Sequence, residues 1–160
     1  EAGRDVEFLV AGLGPGESRI RRRADRLGIA DRLTFAGPAA LESAFWRVVD
    51  VYIQPSHVPT CGRSLLAAMA SGIPCIAAEV EGPRRLLDSG TRGLLVPPRD
   101  PSALALAMIS LLDRPLLSRS LADLARSWAS THLDPEREAD ALADLYDDAV
   151  RASSRATRPS

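Results

Sequence analysis

Apolar positions recur along this chain in two rhythms. Short runs, VEFLVAG (6–12), RLTFAG (32–37), VYIQPS (51–56), PCIAAE (74–79) and GLLVPP (93–98), are largely apolar and bounded by Gly, Pro or Ser, as buried strands are. Between them the spacing is helical. ESRIRRRADRLGI sets Ile20, Ala24 and Leu27 on one face, followed further on by ALESAFWRVV, by LLAAMASG stopping at Gly72, and by PRRLLDSG closed at Gly90. After Pro98 the pattern stays helical through PSALALAMISLLD, RPLLSRSLADLARSWAS and a long stretch beginning at Asp134. Strands separated by helix-length crossovers predict an α/β fold, a Rossmann-like three-layer parallel sheet with C-terminal helices. The domain is expected over 1–152, and the polar SSRATRPS predicts a disordered tail over 153–160.

Composition narrows the chemistry. A chain of 160 residues fits one domain able to bury roughly two thirds of its unfolded surface. Aliphatic residues dominate the 46% hydrophobic fraction, aromatics make up 4% and the net charge is -1, a balance that argues against nucleic acid as a partner. All 20 basic residues are Arg, so no lysine can form a Schiff base or clamp a phosphate. Cys61 and Cys75 do not have a metal-ligand spacing, no metal site is expected, and two such thiols suit a reducing compartment, here the cytoplasm. No apolar run reaches the roughly 18 residues of a membrane span.

In sheets of this kind ligands sit beyond the carboxyl ends of the strands, which directs attention to the loops. GLGPGE (12–17) follows a strand and opens a helix, so Gly12, Gly14 and Gly16 could bring backbone N–H groups to a phosphate. A tight strand-to-helix turn accounts for them equally well, and Glu17 at the sixth position argues against a nicotinamide cofactor. CGRSLLAAMASG places Gly62, Arg63 and Ser64 in a first helical turn, where small side chains either admit a ligand to free amides or let the helix pack closely on the sheet. Glu81 and Gly82, before Pro83, repeat that geometry, although most such glutamates are simply solvated. His57 and Cys61 flank a helix start without a recognisable nucleophile signature.

Taken together, LVAGLGPGE, RLTFAG, DVYIQPS, the long run from GRSLLAAMASGIP to SLLDRP, and LADLAR resemble the C-terminal half of a GT-B fold, family 4 glycosyltransferase. The resemblance spans Val6 to about Val150. It implies the nucleotide-sugar donor site of a retaining sugar transfer, with no further cofactor, and with a carbohydrate or lipid-linked glycan as acceptor on an N-terminal half. By position it implies that Gly37 meets the nucleobase, that Gly12, Gly14 and Gly16 lie near the nucleotide, and that Gly62, Arg63, Ser64, Glu81 and Gly82 lie at the donor.

Two departures qualify the likeness. Ala68-Met69-Ala70 fixes the register of the family's paired glutamates, which fall at Pro59 and Ala67; Thr60 and Cys61 replace a Gly and an aromatic, and only Gly62 is kept. Neither a methyl nor a pyrrolidine ring accepts a hydrogen bond from a sugar hydroxyl, so no catalytic residue is assigned. A catalytically degenerate domain serving binding or assembly is the alternative. The family's first strand, helix and diphosphate-clasping Arg/Lys loop have no counterpart in these residues. These 160 residues alone are therefore expected to be inactive, and to leave a gap in the sheet, rearrange it, or exchange elements in a homodimer. Peripheral membrane association through the N-terminal half is a further implication of the family.

Overall fold

The computed structural model describes residues 5–38, 44–57, 62–134, 136, 139–140 and 142–146. Five strands alternate with helices: β1 Phe8–Ala11, α1 Glu17–Leu27, β2 Leu33–Gly37, β3 Tyr52–Gln54, α2 Arg63–Ala70, β4 Cys75–Ala78, α3 Glu81–Leu86, β5 Leu94–Val96, α4 Pro101–Asp113 and α5 Pro115–His132. Every ladder is parallel, as the crossovers require. The strands form two sheets, β1-β2 and β3-β4-β5, with no ladder joining them among the described residues. The described strands thus leave the sheet divided between β1 and β3.

Strand β4 is the centre of the larger sheet and all four of its residues are buried. Successive side chains point to opposite faces, so Cys75 and Ala77 enter a cluster with Trp46, Leu65, Met69, Leu87 and Ala125, while Ile76 joins Val96, Leu111 and Leu121. Helix α2 covers the first face with α5, and α4 the second. Local signals set the helix ends. Asp100 caps α4 by accepting from Ala103 N–H at 2.9 Å, with Pro101 beginning the helix. Gly28 ends α1 in the left-handed conformation at φ 66°, its N–H returning to Ala24 and Asp25 carbonyls.

Two expectations change. The spacing of ALESAFWRVV predicts a helix, but the described part is a 3-10 turn, Phe45–Val48. Three of its four residues, Phe45, Trp46 and Val48, are aromatic or β-branched, weaker helix formers. Trp46 is buried edge-on between Phe45 and Tyr52, with ring centroids at 5.3 and 5.6 Å. The helix expected over 83–90 begins earlier, at Glu81, and ends at Leu86. A 3-10 turn follows in which Asp88 and Ser89 take φ 50° and 51°, a conformation no α-helix continues through. The disordered tail expected over 153–160 lies outside the described residues.

Burial also sets a titration. Cys75 donates its S–H to Ile73 O at 3.1 Å, and burial pushes the thiol up to about 12 from an ordinary 9.0. Across that window the unfolded chain has lost a proton that the folded chain keeps, so stability is intact below it and falls as pH rises through it. The slope is up to roughly 1.4 kcal/mol per pH unit. Urea midpoints taken at about pH 8 and about pH 10.5 should therefore separate for the native chain and converge towards each other in Cys75→Ala. Equal separation in both proteins would show that other groups carry the alkaline sensitivity. Tyr52, also raised, adds the same sign in both.

Candidate functional site

At the carboxyl end of β3 the chain passes through residues 58–61, which are outside the described residues, and re-enters at Gly62. Pro59, Thr60 and Cys61 are therefore not placed, and the His57–Cys61 pairing lies outside the description; His57 itself is exposed. Gly62 is the N-cap of α2 at φ 63°, buried, and among the described residues no side chain caps the helix. The first intrahelical bond closes from Leu66 N–H to Gly62 O at 2.8 Å. The amides of the turn before it have no partner within the helix, and they sit at the positive end of its dipole. A Cβ built on Gly62 would lie 2.8 Å from Leu86 Cδ1 of α3. The backbone conformation thus favours glycine here, and a Cβ would also have to push aside the end of the Leu86 side chain.

Beside this helix start lies a polar group that the sequence did not single out as a unit. Tyr52 and Gln54 share one face of β3, and α2 brings Ser64 to them. The Tyr52 hydroxyl donates to Ser64 Oγ at 2.8 Å, with Gln54 Oε1 a second acceptor at 3.3 Å. Gln54 is buried. Burial raises the Tyr52 pKa above its usual 10.0, the Ser64 hydrogen bond opposes that shift, and nearby Cys75 adds to it. Burial thus favours the protonated phenol, which donates to Ser64 Oγ. The i, i+2 placement of Tyr52 and Gln54 was the available signal, and it acquires meaning only once α2 supplies Ser64.

The other predicted residues divide by sheet. Gly12 N–H donates to Gly37 O, and both residues take positive φ, 121° and 61°, where β1 and β2 end. The backbone conformation thus requires glycine at these two positions; Gly14 and Gly16 have ordinary φ and open space where a methyl would lie, so no packing demands glycine there. Glu81 begins α3, with Gly82 in the same turn. Glu79, Glu81, Arg84, Arg85, Asp88 and Ser89 line an open depression of about 620 Å³, in which Glu79 and Arg84 approach to 3.9 Å. Arg63 is exposed at the start of α2. Ala67, at the position of the family's second glutamate, is half-buried and packs against the Trp46–Leu65–Met69 cluster.

Among the described residues no group of three His, Cys, Asp or Glu side chains could hold a metal ion. Nor is any described helix long and apolar enough to cross a membrane.

Residues 1–114 match the family model described as glycosyl transferases group 1. D-inositol 3-phosphate glycosyltransferase of Geodermatophilus obscurus is 35% identical over 160 residues, covering 99% of this chain and 32% of that protein. The sucrose-phosphate synthase (tll1590) structure from Thermosynechococcus elongatus superposes with a TM-score of 0.82 at 29% identity, covering 91% of this chain and 39% of that one. Anabaena Alr3699/HepE in complex with UDP-glucose gives a TM-score of 0.83 at 23% identity, over 89% of this chain and 41% of that one, a likeness of fold. The chain spans about a third to two fifths of the length of these proteins.

Proposed function

The chain belongs to the group 1 glycosyltransferases, and from that premise we propose that it is the donor-binding half of an enzyme that transfers a sugar from a nucleotide-sugar. The observation that carries this reading is the uncapped start of α2, where Gly62 holds φ 63° and the Tyr52–Ser64 hydrogen bond orients a hydroxyl. Free amides at the positive end of a helix suit a diphosphate, and Arg63 adds a cation beside them. Ser64 donates to the same ligand, and Gly37 with Gly12 offers backbone polar groups to the base. Glu81 and Gly82 border the sugar end. The acceptor, a carbohydrate or lipid-linked glycan, would be held by a partner half, with no cofactor beyond the donor and with the cytoplasm as the compartment.

A second reading is favoured by one specific observation. Ala67, where the family carries a carboxylate, packs its methyl against a hydrophobic cluster. A domain with this residue and with Pro59 lacks both acceptors for donor hydroxyls, and would bind a nucleotide without turning it over. Calorimetric titration of the longest natural polypeptide that carries these residues, with a panel of nucleoside diphosphates and their sugars, separates the readings. Binding with sugar release to an acceptor supports the transferase, and binding without turnover supports the degenerate domain. Absence of binding across the panel overturns the donor site altogether. Ser64→Ala should weaken the bound nucleotide by about 1 kcal/mol, the net worth of one hydrogen bond.

A further inference from the structure

We propose that Glu81 supplies the carboxylate that recognises the sugar of the donor, at a site where Pro59 and Ala67 carry none. The inference rests on the donor-site reading above and adds to it the group that distinguishes a nucleotide-sugar from a bare nucleotide. Ala67 turns its methyl to the apolar cluster and Pro59 has no side-chain acceptor. Hydroxyls brought into the site therefore need an acceptor from another segment, or they lose their hydrogen bonds to water without replacement.

The segment leaving β4 brings Glu81 to the right place. The strand ends at Ala78, and Glu79 N–H donates to Val96 O at 2.8 Å just beyond it. Val80 is extended, φ -111° and ψ 163°, so the side chains on either side of it share one face. Glu79 and Glu81 accordingly both line the open depression of about 620 Å³. From there α3 carries Leu86 against Gly62, about 7.5 Å along the helix axis from Glu81 at 1.5 Å per residue. A diphosphate at the start of α2 thus has the depression beside it, where the sugar would follow.

The neighbouring charges single out Glu81. Glu79 faces Arg84 at 3.9 Å. Asp88 is held on two sides, by Arg92 at 3.2 Å and by the Thr91 hydroxyl, which donates to Asp88 Oδ2 at 2.9 Å. Among the described residues the Glu81 carboxylate has neither an ion pair nor a hydrogen bond, and the residue is exposed. Both oxygens of an ionised carboxylate only accept, so together they can take the protons of two adjacent hydroxyls on a hexose ring. The same negative charge repels a diphosphate, so the two parts of the ligand respond to Glu81 with opposite sign. The sugar that fits is a neutral hexose with free adjacent hydroxyls, since a uronic acid would set like charges together.

Calorimetric titration of the longest natural polypeptide that carries these residues tests this, with the uridine, guanosine, adenosine and thymidine diphosphates and their hexose forms as probes. The readout is the affinity for the hexose form divided by that for the matching diphosphate. In Glu81→Ala this ratio is expected to fall roughly tenfold, the loss of one hydrogen bond to a charged group, while the diphosphate binds no more weakly than it does to the native protein. Glu81→Gln keeps one acceptor oxygen and should lose less. Glu79→Ala removes a carboxylate that faces Arg84 and should keep the native ratio. An unchanged ratio in Glu81→Ala, or equal weakening of both ligand forms, would overturn the role of Glu81 and leave the donor site standing. No binding of any probe by the native protein would overturn the donor site, and the role of Glu81 with it.

Discussion

Gly62→Val is expected to weaken nucleotide binding by roughly 100-fold. At φ 63° a residue with a Cβ loses about 1–2 kcal/mol, and a β-branched one tolerates this region worst. The new Cβ would also lie 2.8 Å from Leu86 Cδ1. The end of a leucine can swing aside, but Leu86 packs against the main cluster, and valine brings two further methyl groups to the same place. Relief comes by moving the start of α2, which displaces the free amides and Ser64 together. A misplacement on the order of 1 Å costs roughly 100-fold in a preorganised site, and isothermal titration with the tightest-binding nucleoside diphosphate would read it. Gly14→Ala is the informative control, because φ there is ordinary and nothing lies within 4 Å of the added methyl. A loss of affinity in Gly14→Ala would indicate ligand contact, not strain. Unchanged binding in Gly62→Val would remove the α2 start from the site.

Leu65→Ala should give the largest loss of stability, about 2–5 kcal/mol. Leu65 is fully buried on α2 within the cluster formed by Trp46, Met69, Cys75 and Leu87. Three heavy atoms would be removed from a site whose neighbours come from several different segments, so collapse around the cavity would be incomplete. Against a total of roughly 5–15 kcal/mol for a typical domain, that loss lowers the urea midpoint far outside error. Leu116→Ala on α5 provides the contrast: its side chain is 82% exposed, and the change should stay within about 0.5 kcal/mol. Equal effects at the two positions would mean that α2 does not pack on the sheet as described.

The legible parts of the fold are those whose cause is local. PSALALAMISLLD becomes α4 with the bounds read from the sequence, because Asp100 and Pro101 fix its start and its apolar positions fix its face. The five apolar runs are all strands, each trimmed by a residue or more at its ends, where ladder partners run out. ALESAFWRVV has helical spacing, yet its described part is a short 3-10 turn, in which Trp46 is buried against Tyr52 of β3. The same division holds in the site. Gly62, Arg63 and Ser64 are legible as small and polar residues at a helix start. The Tyr52–Ser64–Gln54 hydrogen bonds are not legible that way, since Tyr52 and Ser64 lie 12 residues apart, one on a strand and one on a helix.

By itself the sequence determined the alternation of strand and helix, the family, and the absence of carboxylates from Pro59 and Ala67. Each is a property of residue types in order, which physical chemistry reads one segment at a time. Only the tertiary structure decided that the sheet is divided between β1 and β3, that Leu86 presses on Gly62, and that Tyr52 aims the Ser64 hydroxyl. Those depend on which surfaces meet, and meeting is set by the burial of distant segments against one another.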